Sequence, residues 1–166
     1  MSNRRDLRPI RVAVAHDSCL VREFLTSLLD RSTAVEQTTV CSNGTDLESA
    51  IAVSRPDVVL TGVRMPPSGA EEGIRLAARL RGTSPEIGVV ALGDYVEPSL
   101  VLALLAGGRR RRAYLLTERI RSHQELIGAI ETVAAGGSVL DPLIVDALID
   151  VEVQTGSSRL SELTLR

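Results

Sequence analysis

A doubly wound α/β fold, a parallel sheet with helices on both faces, is the class this sequence predicts, and three observations predict it. Five short apolar runs, near 10–15, 35–41, 58–61, 87–92 and 113–116, alternate with helical patterns near 19–30, 45–54, 70–81, 97–106 and 122–135. Such alternation implies parallel pairing, because each return to a parallel neighbour needs a crossover, and the crossover is normally a helix. Hydrophobic residues make up 44% of the chain, yet only Phe24, Tyr95 and Tyr114 are aromatic, so the core must be built of Val, Leu, Ile and Ala. Those side chains suit a sheet covered by helices.

The elements follow in order. Residues 1–9 carry Arg4, Arg5 and Arg8 among polar neighbours and read as a flexible lead-in to a first strand starting near Ile10. Ser18 can cap the first helix, in which Leu20, Phe24 and Leu28, with Val21, Leu25 and Leu29 beside them, make one apolar face. Asn43 or Thr45 caps the second helix. Pro56-Asp57 leads into the third strand, Val58 to Thr61. The fourth helix, Pro98 to Ala106, holds Leu100, Val101, Leu102, Leu104 and Leu105 in close succession; burial is the expected reason, with partner contact as the alternative. Gly107-Gly108 and Gly136-Gly137 stop the fourth and fifth helices. Asp141 and Pro142 make an N-cap and first turn for a sixth helix, Leu143 to Ile149, and residues 151–166 turn polar around Gly156-Ser157-Ser158 and read as a linker. The organisation expected is a main domain at 10–137, a linker helix at 138–150 and a tail at 151–166.

Composition removes several classes of function. A chain of 166 residues suits one domain, and a formal net charge of −2 argues against a surface that coats nucleic acid or lies on a membrane. All 19 basic residues are arginine, so no chemistry that needs a lysine amine can be assigned. Cys19 and Cys41 fall in apparent core elements without a disulfide framework, and no apolar leader opens the chain, which points to a reducing, cytoplasmic setting. No apolar run reaches the roughly 18 residues of a membrane span.

In an open parallel sheet, ligands and chemistry collect at the carboxyl ends of the strands. The first strand ends in Ala15-His16-Asp17-Ser18, the third in Thr61-Gly62, the fourth in Leu92-Gly93-Asp94 and the fifth in Leu116-Thr117. With Pro56-Asp57-Val58-Val59, Val63-Arg64-Met65-Pro66-Pro67, Glu72-Gly73, Leu104-Leu105-Ala106-Gly107-Gly108, Tyr114-Leu115-Leu116 and the run from Val133 to Pro142, these segments resemble the receiver domains of LuxR-type (NarL/FixJ-like) two-component response regulators, in particular an actinobacterial subgroup. The resemblance covers residues 10–150 and implies a flavodoxin-like fold with five parallel strands, an extra C-terminal helix and a linker. It implies a helix-turn-helix DNA-binding domain downstream, whose opening Leu163-Thr164-Leu165-Arg166 resembles; contact with DNA is expected only through that absent domain.

Receivers hold a divalent cation on an acidic pair, accept a phosphoryl group on an aspartate after the third strand, and read it with a hydroxyl and a lysine. Matched by motif, His16 and Asp17 stand at the acidic pair, Gly62 at the nucleophile, Gly93 at the hydroxyl and Thr117 at the lysine. Tyr114 matches the family's switch aromatic, with packing at the sheet edge as the simpler reading. The expectation is therefore a degenerate phosphorylation pocket with no metal, no cofactor and no enzymatic activity. The module would work by protein–protein contact through the first, fourth or fifth helix, with itself or an intact regulator. A second expectation is a pocket near Asp17, Gly62 and Gly93 emptied enough to admit a small metabolite. His16, Asp17 and Cys19 match no closed zinc spacing. Arg109, Arg110, Arg111 and Arg112 form the sharpest charge run; they are expected as a solvated loop, with phosphate or acidic-partner contact as the alternative.

Overall fold

The computed structural model describes residues 8–164, with side chains through 157, so most of the expected lead-in and the last two residues lie outside the described residues. In chain order the elements are β1 (Ile10–Ala15), α1 (Cys19–Leu29), β2 (Val35–Cys41), α2 (Gly44–Ser54), β3 (Val58–Gly62), α3 (Glu72–Thr83), β4 (Gly88–Gly93), α4 (Pro98–Leu105), β5 (Arg112–Leu116), α5 (His123–Ala134), β6 (Ser138–Leu140) and α6 (Pro142–Thr164). All strands pair in parallel, in the order β2-β1-β3-β4-β5-β6. Chain direction across the sheet reverses at β1, and the crevice between the carboxyl ends of β1 and β3 is where a doubly wound sheet presents a site.

The five-strand expectation is corrected to six. Ser138–Leu140 pairs with Arg112–Tyr114, inside the segment assigned to a linker helix. Three residues are too few to register as a periodic pattern, and the pairing is supplied by β5. The sixth helix is also longer than expected: it runs unbroken from Pro142 to Thr164, through Gly156-Ser157-Ser158. A single interior glycine costs a helix only about 1 kcal/mol relative to alanine, not enough to end it.

The two faces of the sheet carry separate cores. One, beneath α1 and α5, joins Val12, Val14, Leu60, Val90 and Leu92 to Leu25, Leu29, Leu126 and Ile130. The other, beneath α2, α3, α4 and α6, joins Ala13, Val59, Val89, Ala91 and Tyr114 to Leu47, Leu76, Leu80, Val101, Leu104 and Ile144. β3 and β4 are buried along their whole length, which explains why they read as continuous apolar runs.

Helix α1 presents a different face from the one expected. Leu25, Leu28 and Leu29 are buried, while Leu20 is 78% and Phe24 39% exposed. Two adjacent rows, 20/24/28 and 21/25/29, span more arc than one sheet can cover, so one flank stays outside. Cys19 is exposed as well; Cys41 is buried. In α4 the burial reading holds for Leu100, Val101 and Leu104, but Leu102 is 54% exposed. The caps follow the sequence: the Ser18 hydroxyl accepts from Val21 N, and Asn43 Oδ1 from Asp46 N at 2.8 Å.

Candidate functional site

The glycine at the end of β3 is covered by an imidazole. His16, the first residue after β1, is buried, and a Cβ built on Gly62 would lie 3.0 Å from its Cδ2 and 3.4 Å from its Nε2. Several bonds hold His16 in place. Its backbone N donates to Cys41 O at 3.2 Å, and Ser18 N donates to its Nδ1 at 3.1 Å and to Asp17 Oδ1 at 2.9 Å. The Arg22 guanidinium, one turn into α1, donates to the carbonyls of His16 and Asp17 at 2.7 and 2.9 Å. Arg22 was not singled out by sequence, because its role depends on the loop folding back over the helix start.

Burial disfavours the imidazolium and sets the direction for His16, whose pKa is lowered from 6.5 against the opposing pull of Asp17 and Asp94. The consequence for stability follows in sign. Below 6.5 the unfolded chain binds a proton that the folded chain resists, so stability is full above that pH and is lost as pH falls through the lower folded value. Melting temperature is therefore expected to begin to drop as pH falls below 6.5, before most carboxylates protonate. His16→Gln, measured by thermal denaturation across that range, should flatten the slope.

Around Gly93, at the end of β4, the filling group is a phenol. A Cβ on Gly93 would lie 2.8 Å from Tyr114 Cε1 and 2.8 Å from Cζ, so the ring rests on the strand backbone. Tyr114 is 1% exposed, and burial, with the Glu97 carboxylate nearby, pushes its hydroxyl up to about 12. Thr117 opens a 3-10 turn, Thr117–Arg119, and its hydroxyl donates to Gly93 O at 3.3 Å, tying β5 to β4.

Two contacts that the sequence did not reveal complete the site. Arg64, after β3, donates two hydrogen bonds to Glu97, the residue before α4, at 2.5 and 2.7 Å. This fork joins the loop of β3 to the start of α4, and it holds the Glu97 carboxyl below the usual range. Gly73, in the first turn of α3, sits against the Gly62 carbonyl and donates its N–H to Val63 O at 3.0 Å. The Glu72-Gly73 pair was visible as a motif, but the close approach that requires glycine was not.

Gly62 and Gly93, two of the residues expected to border an emptied pocket, are each faced by a ring at the position of a Cβ. His16 and Tyr114 occupy the volumes that side chains at 62 and 93 would need. The donor set does not suit a divalent cation: Nδ1 of His16 and Oδ1 of Asp17 both accept from Ser18 N, and no group of three His, Cys, Asp or Glu side chains converges among the described residues.

The arginine run is corrected too. Arg109 and Arg110 are exposed, but Arg111 and Arg112 turn inward. Arg111, at φ 58°, donates to Ala134 O at 2.7 Å and closes the C-terminal end of α5. Arg112, 1% exposed, donates to Ala77 O and Arg111 O at 2.9 Å each and to Ile87 O at 3.3 Å. A run of like charges gives no local sign that two of its members are structural. Asp57 lies at the start of β3, where it accepts from Arg11 N at 2.9 Å, far from the glycine end of the strand.

A doubly wound parallel sheet in the order β2-β1-β3-β4-β5-β6, with a crevice at the carboxyl ends of β1 and β3, is the frame of a receiver-type module. The response regulator receiver domain matches residues 12–111, and the chain belongs to that family. The transcriptional regulatory protein LnrK of Bacillus subtilis (strain 168) is 30% identical over 133 residues; the match covers 80% of this chain and 57% of LnrK, so the chain spans little more than half of that relative. Among solved structures, the receiver domain of the response regulator NarL from Mycobacterium tuberculosis superposes with a TM-score of 0.68 at 28% identity, covering 78% of this chain and 98% of that one. A structure of two RcsB dimers bound to two parallel DNAs gives a TM-score of 0.71 at 18% identity, over 84% of this chain and 67% of that one, a likeness of fold. Among the described residues no helix is long and apolar enough to cross a membrane.

Proposed function

We propose that this chain is an atypical receiver module of bacterial signal transduction and transcription regulation, which lacks the phosphoacceptor aspartate and acts by phosphorylation-independent protein–protein contact. The single observation that carries the reading is Gly62: the residue at the end of β3 has no side chain, and the His16 ring covers it. Gly93 and Thr117, where a hydroxyl and a lysine would read a phosphoryl group, support it. The module has no enzymatic role in this reading and works in the cytoplasm.

Among the first, fourth and fifth helices, α1 offers Leu20 and Phe24 one turn apart on its outer flank, against Leu102 alone on α4, while α6 exposes Leu143, Val145, Ile149, Val151 and Val153. The partner is a second copy of the chain or an intact regulator, in keeping with the dimers that RcsB forms in its own structure. Incubation with acetyl phosphate and magnesium, followed by intact-mass measurement, is expected to show no added phosphoryl group. A stable adduct would overturn the reading.

A further inference from the structure

Two glycines at the ends of adjacent central strands are each capped by a side chain from elsewhere, His16 on Gly62 and Tyr114 on Gly93, and the Arg64–Glu97 fork bridges the loops that follow those strands. We infer that these three contacts form a built-in lock, which holds the start of α4 and the Tyr114 ring in one conformation without any bound group. This deepens the proposed function, on which it rests for the absence of a phosphoryl group, by naming what holds the carboxyl-end loops when none is present.

The argument is one of volume. Tyr114 belongs to the core cluster that includes Leu100, Val101 and Leu104 of α4, and its ring lies where a Cβ of residue 93 would stand. For the ring to leave, it would have to open a void over Gly93, and glycine has no side chain with which to refill it. Close-packed interiors resist voids of that size, since the lining atoms lose their partners outright. The converse holds as well: any side chain at 93 must evict the ring. On the other side of the crevice, the His16 ring accepts from Ser18 N, a bond it must break to swing aside, and Arg22 fixes the backbone carbonyls of the loop that carries it. Arg64 and Glu97 then tie the loop after β3 to the helix that packs on Tyr114.

Only Tyr95, 72% exposed, and Tyr114 carry a phenol, so carbon-13 NMR of the full chain labelled at tyrosine Cζ, which a ring flip leaves in place, isolates the ring in question in a Tyr95→Phe background. One resonance with flat relaxation dispersion is expected; two exchanging resonances would overturn the lock. Gly93→Ser is expected to displace the resonance and lower the melting temperature, and adding Tyr114→Ala should recover most of that loss by making room for the new side chain. Failure of the second substitution to rescue the first would also overturn the inference, and that comparison remains decisive if Gly93→Ser folds poorly. Arg64→Gln should introduce exchange broadening, and an unchanged line would remove the fork from the lock. The two readings fail separately: an exchanging ring with no phosphoryl adduct sinks the lock alone, whereas an adduct on a protein whose ring stays still sinks phosphorylation independence alone.

Discussion

Arg112→Ala is expected to lower the unfolding free energy by about 3–5 kcal/mol, the largest effect of any single substitution outside the apolar core. The guanidinium is 1% exposed and meets no carboxylate; it is held by the carbonyls of Ala77, Ile87 and Arg111. Removing it leaves a void between α3 and the sheet and strips those carbonyls of a charged donor. Burial, with Arg81 nearby, pushes the guanidinium down to about 10, still above neutral pH, so the charge is retained in the fold at a cost. Its Nε has no hydrogen-bond partner, a second cost. Arg112→Met, which fills much of the volume without a charge, should therefore lose far less than the alanine variant, and urea denaturation of the two measures the difference. Equal losses would mean that the carbonyl bonds, not packing, carry the site.

The second large effect runs against local propensity. Alanine is favoured over glycine inside a helix by about 1 kcal/mol, so helix propensity alone makes Gly73→Ala stabilising. The structure reverses the sign. A Cβ at 73 would overlap the Gly62 carbonyl, and the oxygen is backbone of a buried central strand that cannot give way. Overpacking of that kind typically costs about 1–3 kcal/mol, and displacing the turn also endangers the bond from Gly73 N to Val63 O. A net loss of about 2 kcal/mol or more is expected. Gly82→Ala, in the same helix with nothing within 4 Å of the new carbon, is the control and should be neutral or stabilising by up to about 1 kcal/mol. If both variants behave alike in denaturant titrations, the close approach of α3 to β3 is not what constrains residue 73.

Much of the architecture was legible because it is local. Strand and helix patterns repeat with the backbone's own period, so the first five strands and first five helices stand within a few residues of their expected places. Where reading failed, two stretches competed for one surface or one stretch needed a distant partner. Helix α1 had two apolar rows, and the fold buries Leu25, Leu28 and Leu29 while Leu20 and Phe24 stay on the outer flank, because the sheet does not cover the whole arc. Strand β6 exists because β5 offers an edge to Ser138–Leu140. The arginine run looked uniform in sequence and divides into two exposed and two inward members only where β5 begins.

The sequence by itself determined which chemical groups stand at the strand ends, since residue identity there is read directly and a glycine carries no carboxylate or hydroxyl in any fold. It also determined the α/β class and the position of those ends in a parallel sheet. Tertiary structure decided what occupies the space the glycines leave. His16 and Gly62, like Gly93 and Tyr114, are far apart in the chain, and whether their side chains share one volume depends on strand register and on which way each ring turns. Absence of a group is a property of the chain, whereas the filling of a volume is a property of neighbours that only folding brings together.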